Sequence, residues 1–510
     1  MHLYKTESDM KNRLFAATVA AVLLAVALTS CAAKVSTSPT PLAAGDPCAP
    51  LVGLLDPDSE VRGVWIASVW NIDYPSSAYL SDDELKAEID DIIDNCKKLS
   101  LNTVFFQVRP ACDALYKSDL FPVSQFLSAD GKLSFDPLEY ILDRAHHNKI
   151  SVHAWVNPLR VTPGAGKLDS LPKDSPARVH PEYTVDYCGR IVLNAGIPEV
   201  RDLVSEGVRE IVKRYDVDGV VFDDYFYPYP QNDDSGRPVP FDDGETFTKY
   251  DGGFSDVGDF RRDSVNKLVK ACYDAVKETD PECLFGISPF GVWQNDDGSN
   301  GGSETRGLEA YKEIYSDASA WVKGGYVDYL SPQIYWQLSS AGTPFGTLAD
   351  WWNGLLGGGN VTLWVSHAAY RYEEGDWADP EGEMERQVTY ARDEMAYRGS
   401  VFYGYAELKN NVAGVAGEIQ SLYDNEIIYL PPAVTEQQIE ITSHGDGETV
   451  YDDTAILTGT SDPGRVLYLN GKPVGRHKNG DFAVKVRISA GENRFLFTQT
   501  GEEKLIVLYR

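Results

Sequence analysis

The chain has 510 residues, 43% of them apolar and 24% charged, with 46 Lys and Arg against 77 Asp and Glu for a formal net charge of −31. This much apolar content excludes a disordered chain and is enough for two or three domains with a large core. The acidic balance argues against direct binding to nucleic acid or anionic lipid, because like charges repel across a polyanion surface.

In chain order, the first feature is a targeting segment. Lys11 and Arg13 precede an apolar run from Leu14 to Leu28, too short for a membrane span. The run closes on Leu28-Thr29-Ser30-Cys31, which resembles a bacterial lipobox. Residues 1–31 therefore read as a lipoprotein signal peptide with Cys31 as the lipidated residue, and the protein as exported and membrane-anchored through lipid only. Residues 32–60, rich in Ala, Ser, Thr and Pro, read as a flexible tether. The other six cysteines fit no zinc spacing.

From residue 61 to 430 the pattern alternates strand and helix eight times. Strand-like runs are expected at Gly63–Ala67, Thr103–Val108, Ser151–Val156, Gly219–Phe222, Leu284–Ile287, Tyr329–Ile334, Thr362–Val365 and Ser400–Tyr405. Helical periodicity fills the intervals, as in Asp82–Leu99, Pro198–Tyr215, Leu308–Val322 and Met384–Tyr397. That arithmetic predicts an α/β fold, a (β/α)8 TIM barrel with inserted loops, the longest being Gln231–Asp259. Residues 433–510 change character, with short alternating runs broken by Asn470-Gly471 and Asn479-Gly480, and read as a small all-β sandwich-like module.

In such barrels the C-terminal strand ends build the site. Here they carry acids and polar aromatics: Trp65; Gln107 and Arg109; Trp155, Asn157 and Arg160; Asp223, Asp224 and Tyr225; Gln333, Tyr335 and Trp336; His367; and Glu407. Val220-Val221-Phe222 running into Asp223-Asp224 is the sharpest signal, an apolar strand that ends in two adjacent carboxylates. Aromatics beside acids suit a ring-shaped polar substrate, and sugars are the obvious case. No HxH or HExxH pair, Gly-rich phosphate loop or GxSxG elbow occurs, so no metal and no cofactor is expected. An aldolase would want a Lys at an inner strand end and a metal-dependent deacetylase a His/Asp cluster, and neither pattern is present. The rival from another class is a non-catalytic glycan-binding lipoprotein on the same scaffold. The oligomeric state is not written in the pattern.

The segments Arg62-Gly63-Val64-Trp65, Phe106-Gln107-Val108-Arg109-Pro110, His153-Ala154-Trp155-Val156-Asn157-Pro158-Leu159-Arg160, Gly219 to Pro228 and Ser331-Pro332-Gln333-Ile334-Tyr335-Trp336 resemble the glycosyl-hydrolase-like family ten, formerly domain of unknown function 187. The resemblance covers about residues 60–430. It implies a barrel glycosidase, often an exported lipoprotein, with at least one relative acting on bacterial wall glycan stripped of peptides. An N-acetylhexosamine glycan then suggests substrate-assisted chemistry, with Asp223 positioning the acetamido group and Asp224 as acid/base. Glu407 is the reserve carboxylate for an ordinary two-carboxylate reaction. Arg109, Asn157 and Arg160 would bind polar groups of the sugar, and Trp65, Trp155, Tyr335 and Trp336 would stack on its faces.

Overall fold

The computed structural model describes residues 60–356, 361–374, 377, 380–394, 396–427, 438–462, 467–470, 472–474, 481–499 and 502–510. The lipobox, Cys31 and the tether lie outside the described residues. Ten strands precede residue 410: β1 (Val61–Ile66), β2 (Thr103–Arg109), β3 (Ser151–Val156), a hairpin β4 (Thr184–Tyr187) and β5 (Arg190–Leu193), then β6 (Gly219–Phe222), β7 (Leu284–Ile287), β8 (Tyr329–Leu330), β9 (Thr362–Ala368) and β10 (Tyr397–Tyr403). All but the hairpin close into one parallel barrel in the order β1-β2-β3-β6-β7-β8-β9-β10. The expected (β/α)8 barrel is thus the observed fold.

The helices form where apolar residues recur at helical spacing. Asp82–Lys98 starts at Ser81, which accepts from the Glu84 amide while the Glu84 carboxylate accepts from the Ser81 amide. It buries Leu85, Ile89, Ile92, Ile93 and Cys96 against the barrel, each apolar side chain contributing roughly 1.5–3 kcal/mol. Two helix expectations need correction, and the expected strand Tyr329–Ile334 is a strand only over Tyr329–Leu330. The helix over Leu308–Val322 is broken into Ala310–Glu313 and Ala318–Gly324, with Tyr315 between them at φ 55, a backbone that no helix continues. Met384–Tyr397 is a helix only over Glu383–Arg392, and Tyr397 already belongs to β10.

Inside the barrel, inward residues of successive strands build an aromatic plug. Trp65, Phe105, Trp155, Val221, Tyr329, Trp364 and Val401 pack there. Tyr329 stacks on Trp364 with centroids 3.7 Å apart, and its hydroxyl pairs with His153 Nδ1 at 2.8 Å. Gly219 and Gly286 make this possible, since a Cβ would lie 2.3 Å from the His153 ring at the first and 2.1 Å from the Tyr329 ring at the second. Burial pushes His153 down to about 4, so it is a neutral member of the plug.

Beyond the barrel, a three-stranded sheet contains Glu440–Ile441, Thr454–Thr460 and Asp481–Arg487. A five-stranded sheet includes Tyr468–Leu469, Glu492–Gln499 and Glu502–Tyr509. Leu457 and Phe482 of the first share one core with Phe497, Ile506 and Leu508 of the second, which is the expected sandwich-like arrangement.

Candidate active site

Strand alternation points Val221 into the barrel and Phe222 outward, so Asp223 faces inward. Asp224 would then face outward. It does not, because β6 ends at Phe222 and the chain turns, with the Phe226 amide donating to the Asp224 carbonyl at 2.9 Å. Both carboxylates are buried, and they turn to different neighbours. Asp223 Oδ2 accepts from Trp155 Nε1 and Asn157 Nδ2, each at 3.0 Å, on the β3 side. Asp224 accepts from Gln333 Nε2 at 3.2 Å and from the Tyr229 hydroxyl, on the β8 side.

Burial pushes Asp223 up to about 6; the positive charge of Arg160 opposes the rise and the neighbouring Asp224 adds to it. Asp224 is also raised by burial, against the Tyr229 and Gln333 hydrogen bonds. Arg160 itself lies 4.3 Å over the Tyr225 ring, and its Nη1 donates to the Pro110 carbonyl. Its backbone amide donates to Asn157 Oδ1, so Asn157 ties Arg160 and Asp223 together. Asp223, Asp224, Trp155, Asn157, Arg160, Tyr225 and Gln333 therefore form one connected group. Two adjacent carboxyls with raised proton affinity can hold one proton between them and exchange it with a bound molecule.

Other expected site residues stand elsewhere. Arg109 faces away from the mouth. A bulge between Gln107 and Arg109 pairs Arg109 with Val156 and reverses its parity, so its guanidinium packs over Phe121 at 4.5 Å and against Gly207 of the helix Pro198–Arg214. His367 also points outward, between β9 and flanking helices, bonded to Gln387 and Ser400, and burial holds it down at about 4. Both are corrected from ligand contacts to packing behind the barrel wall. Trp65 is corrected from sugar stacking to the plug, where it is 3% exposed and donates to Ser366 Oγ at 3.3 Å. Trp155 is likewise 7% exposed, and its ring holds Asp223 by an edge donor rather than offering a face. Gln107 points inward, but its Oε1 is occupied by the Ser68 and Val69 amides at 2.9 Å. Tyr335 and Trp336 are half-buried, the first beside Tyr370 and Tyr403 and the second against Phe290.

Glu407 lies on a short helix, Tyr405–Lys409, rather than at a strand end. There it raises the proton affinity of Asp73, a residue the sequence does not single out. Asp73 is pushed up to about 7 by burial, although it accepts from the Ala67 amide at 2.8 Å and the Ala406 amide at 3.2 Å. It thereby joins the loop after β1 to the short helix after β10. Burial, with the charges of Asp73 and Glu407, raises the proton affinity of Tyr403, which stacks on Tyr335 with centroids 6.3 Å apart. Tyr229 is the other residue that sequence reasoning misses; its flanking prolines, Pro228 and Pro230, are the signal that its position is fixed.

A cavity opens at the opposite end of the barrel, lined among others by Ser151, Asp216, Asp218, Glu282 and Cys283. The aromatic plug stands between it and the acid pair, and parallel barrels do their chemistry at the C-terminal face.

The family model described as "Glycosyl hydrolase-like 10" matches residues 60–381. The chain is 37% identical over 395 residues to the glycosyl hydrolase YngK of Bacillus subtilis (strain 168), covering 76% of this chain and 75% of that protein. It is 38% identical over 384 residues to the glycosyl hydrolase DigH of Escherichia coli (strain K12), covering 71% and 85% respectively. Among solved structures it is similar to the PgaB (BpsB) glycoside hydrolase domain from Bordetella bronchiseptica, at 15% identity and a TM-score of 0.43 over 70% of this chain and 98% of that one.

Proposed function

The chain belongs to the glycosyl hydrolase-like 10 family, and on that premise we propose that it hydrolyses an N-acetylhexosamine-containing glycan, the glycan strands of the bacterial cell wall. The observation that carries the proposal is the buried Asp223–Asp224 pair, each member held by its own neutral donors at the strand end. A protein that only bound glycan would have no use for two carboxyls with raised proton affinity.

The division of neighbours supports a division of labour. Arg160 is the strongest influence keeping Asp223 ionised, whereas it is a weak one on Asp224. With Arg160 beside it, Asp223 is assigned the charge-stabilising role and Asp224 that of acid/base. In the proposed reaction the acetamido carbonyl oxygen of the sugar attacks the anomeric carbon. The glycosidic C–O bond breaks, and the proton on Asp224 passes to the leaving oxygen. Asp223 accepts the acetamido N–H and stabilises the positive charge that develops. Water then opens the cyclic intermediate, and its proton returns to Asp224. Glu407 would be the nucleophile of the two-carboxylate alternative; it lies on the helix Tyr405–Lys409, where its charge falls on Asp73.

The proposal extends to location: the lipid on Cys31 would hold the protein at the cell surface or in the periplasm. The test of substrate is incubation with peptide-free and peptide-bearing wall glycan, followed by mass analysis. Shortened strands with new reducing ends support the reading. Free acetate would indicate a deacetylase, and retention without products a binder.

A further inference from the structure

The loop after β1 holds a tryptophan in water. Trp70 is 62% exposed, although indole is among the side chains with most to gain from burial. The backbone there is also strained. Trp70 and its neighbour Asn71 have φ 58 and 53, the left-handed region that side chains other than glycine seldom occupy. Two consecutive residues of this kind persist only where the surroundings over-determine them, and such places cluster at ligand clamps.

The surroundings do so here. Asn71 Nδ2 donates to the Pro75 carbonyl at 2.7 Å and to the Phe126 carbonyl at 2.8 Å. The Asp73 and Tyr74 amides fold back onto the Ala67 carbonyl, and Gln107 holds the Ser68 and Val69 amides. The indole has neighbours in the loops after β2 and β3. Phe126 packs with centroids 5.9 Å apart and ring planes at 60°, and Gly164 adjoins the six-membered ring, where a Cβ would come within 3.2 Å. Three loops of the C-terminal face, after β1, β2 and β3, thus fix one aromatic ring that stays largely exposed. The third of these loops, after β3, also carries Asn157 and Arg160, which hold and bias Asp223.

We propose that Trp70 is a stacking platform for a pyranose ring of the glycan strand, next to the acid pair but outside it, so that the protein grips strands more tightly than short fragments. The apolar C–H face of a pyranose matches an open indole face, and a rigid ring loses little freedom on contact. This inference rests on the glycan reading above. It accounts for a loop that keeps strain and an exposed indole together: the binding surface is set before the ligand arrives.

The test uses the full-length protein carrying Asp224→Asn, so that ligand is not consumed, and calorimetric titration with a hexasaccharide and a disaccharide of peptide-free wall glycan. Trp70→Asn removes the ring with a residue that tolerates the left-handed backbone, and Trp70→Phe restores an aromatic face. Trp70→Asn should weaken the hexasaccharide about tenfold and the disaccharide by less than about twofold, with Trp70→Phe recovering most of the loss. If the parent binds both sugars and Trp70→Asn, melting at the parent's temperature, changes neither, or weakens both equally, the platform is wrong and the glycan reading stands. If the parent binds neither sugar, the glycan reading falls and the platform with it.

Discussion

Asp223→Asn should cost activity and raise stability, and the gain should depend on pH. Burial raises the folded-state value of Asp223 from 3.8 to about 6. A carboxyl raised on folding binds more protons in the folded than in the unfolded chain between those limits, so stability falls as pH rises through them. Above pH 7 the wild type carries the full penalty of about two pH units, ~3 kcal/mol. Asn keeps the acceptor for Trp155 and Asn157, never ionises, and relieves Asp224 of a neighbouring charge, which acts in the same direction. Arg160 loses one anionic neighbour but retains Asp224 and Asp113. Urea midpoints of wild type and variant, measured at pH 8 and pH 4, give the comparison. The variant should be more stable by ~2–3 kcal/mol relative to wild type at pH 8 than at pH 4. An equal difference at both pH values, or a variant relatively weaker at pH 8, would refute the burial argument.

Tyr229→Phe removes a hydrogen bond that favours ionised Asp224, so the alkaline limb of the pH–rate profile should move to higher pH with a lower kcat; an unmoved limb would separate Tyr229 from the acid. Gly207→Ala puts a Cβ 2.4 Å from Arg109 Nη1 and 2.6 Å from Phe121, and should destabilise by about 1–3 kcal/mol in a denaturant titration while leaving KM unchanged, because Arg109 lies behind the wall. Cys31→Ser should move the protein from the membrane fraction to the soluble one and leave it without the mass of a lipid, as fractionation and mass spectrometry would read.

The barrel is legible in the sequence because its eight apolar runs and amphipathic helices follow directly from burial periodicity. The acid pair is legible because an apolar strand that stops abruptly at two charges marks the point where the chain leaves the core for a polar mouth. The errors have local causes. Arg109 shares sequence parity with inward Phe105 and Gln107, and only a one-residue bulge, silent in composition, turns it outward. The apolar run before His367 stops at Val365, which places the histidine past the strand end, whereas β9 continues to Ala368 and alternation from inward Trp364 sends His367 to the helices. Trp65 and Trp155 do point inward as alternation requires, but depth within the barrel depends on how far each strand is staggered, which periodicity does not encode. Asp73 and Tyr229 sit in loops, where neither period applies and only three-dimensional closure brings them to their partners.

The central claim is that Asp224 protonates a leaving glycosidic oxygen with Asp223 beside it and Glu407 not required. Its most direct measurement is the rate at which new reducing ends form from peptide-free wall glycan with wild type, Asp224→Asn and Glu407→Gln, each shown to be folded by its melting curve. Asp224→Asn should lose about 10²–10⁴-fold and Glu407→Gln far less. Undiminished turnover by Asp224→Asn, or an inactive Glu407→Gln that traps a glycosyl-enzyme, would contradict the claim.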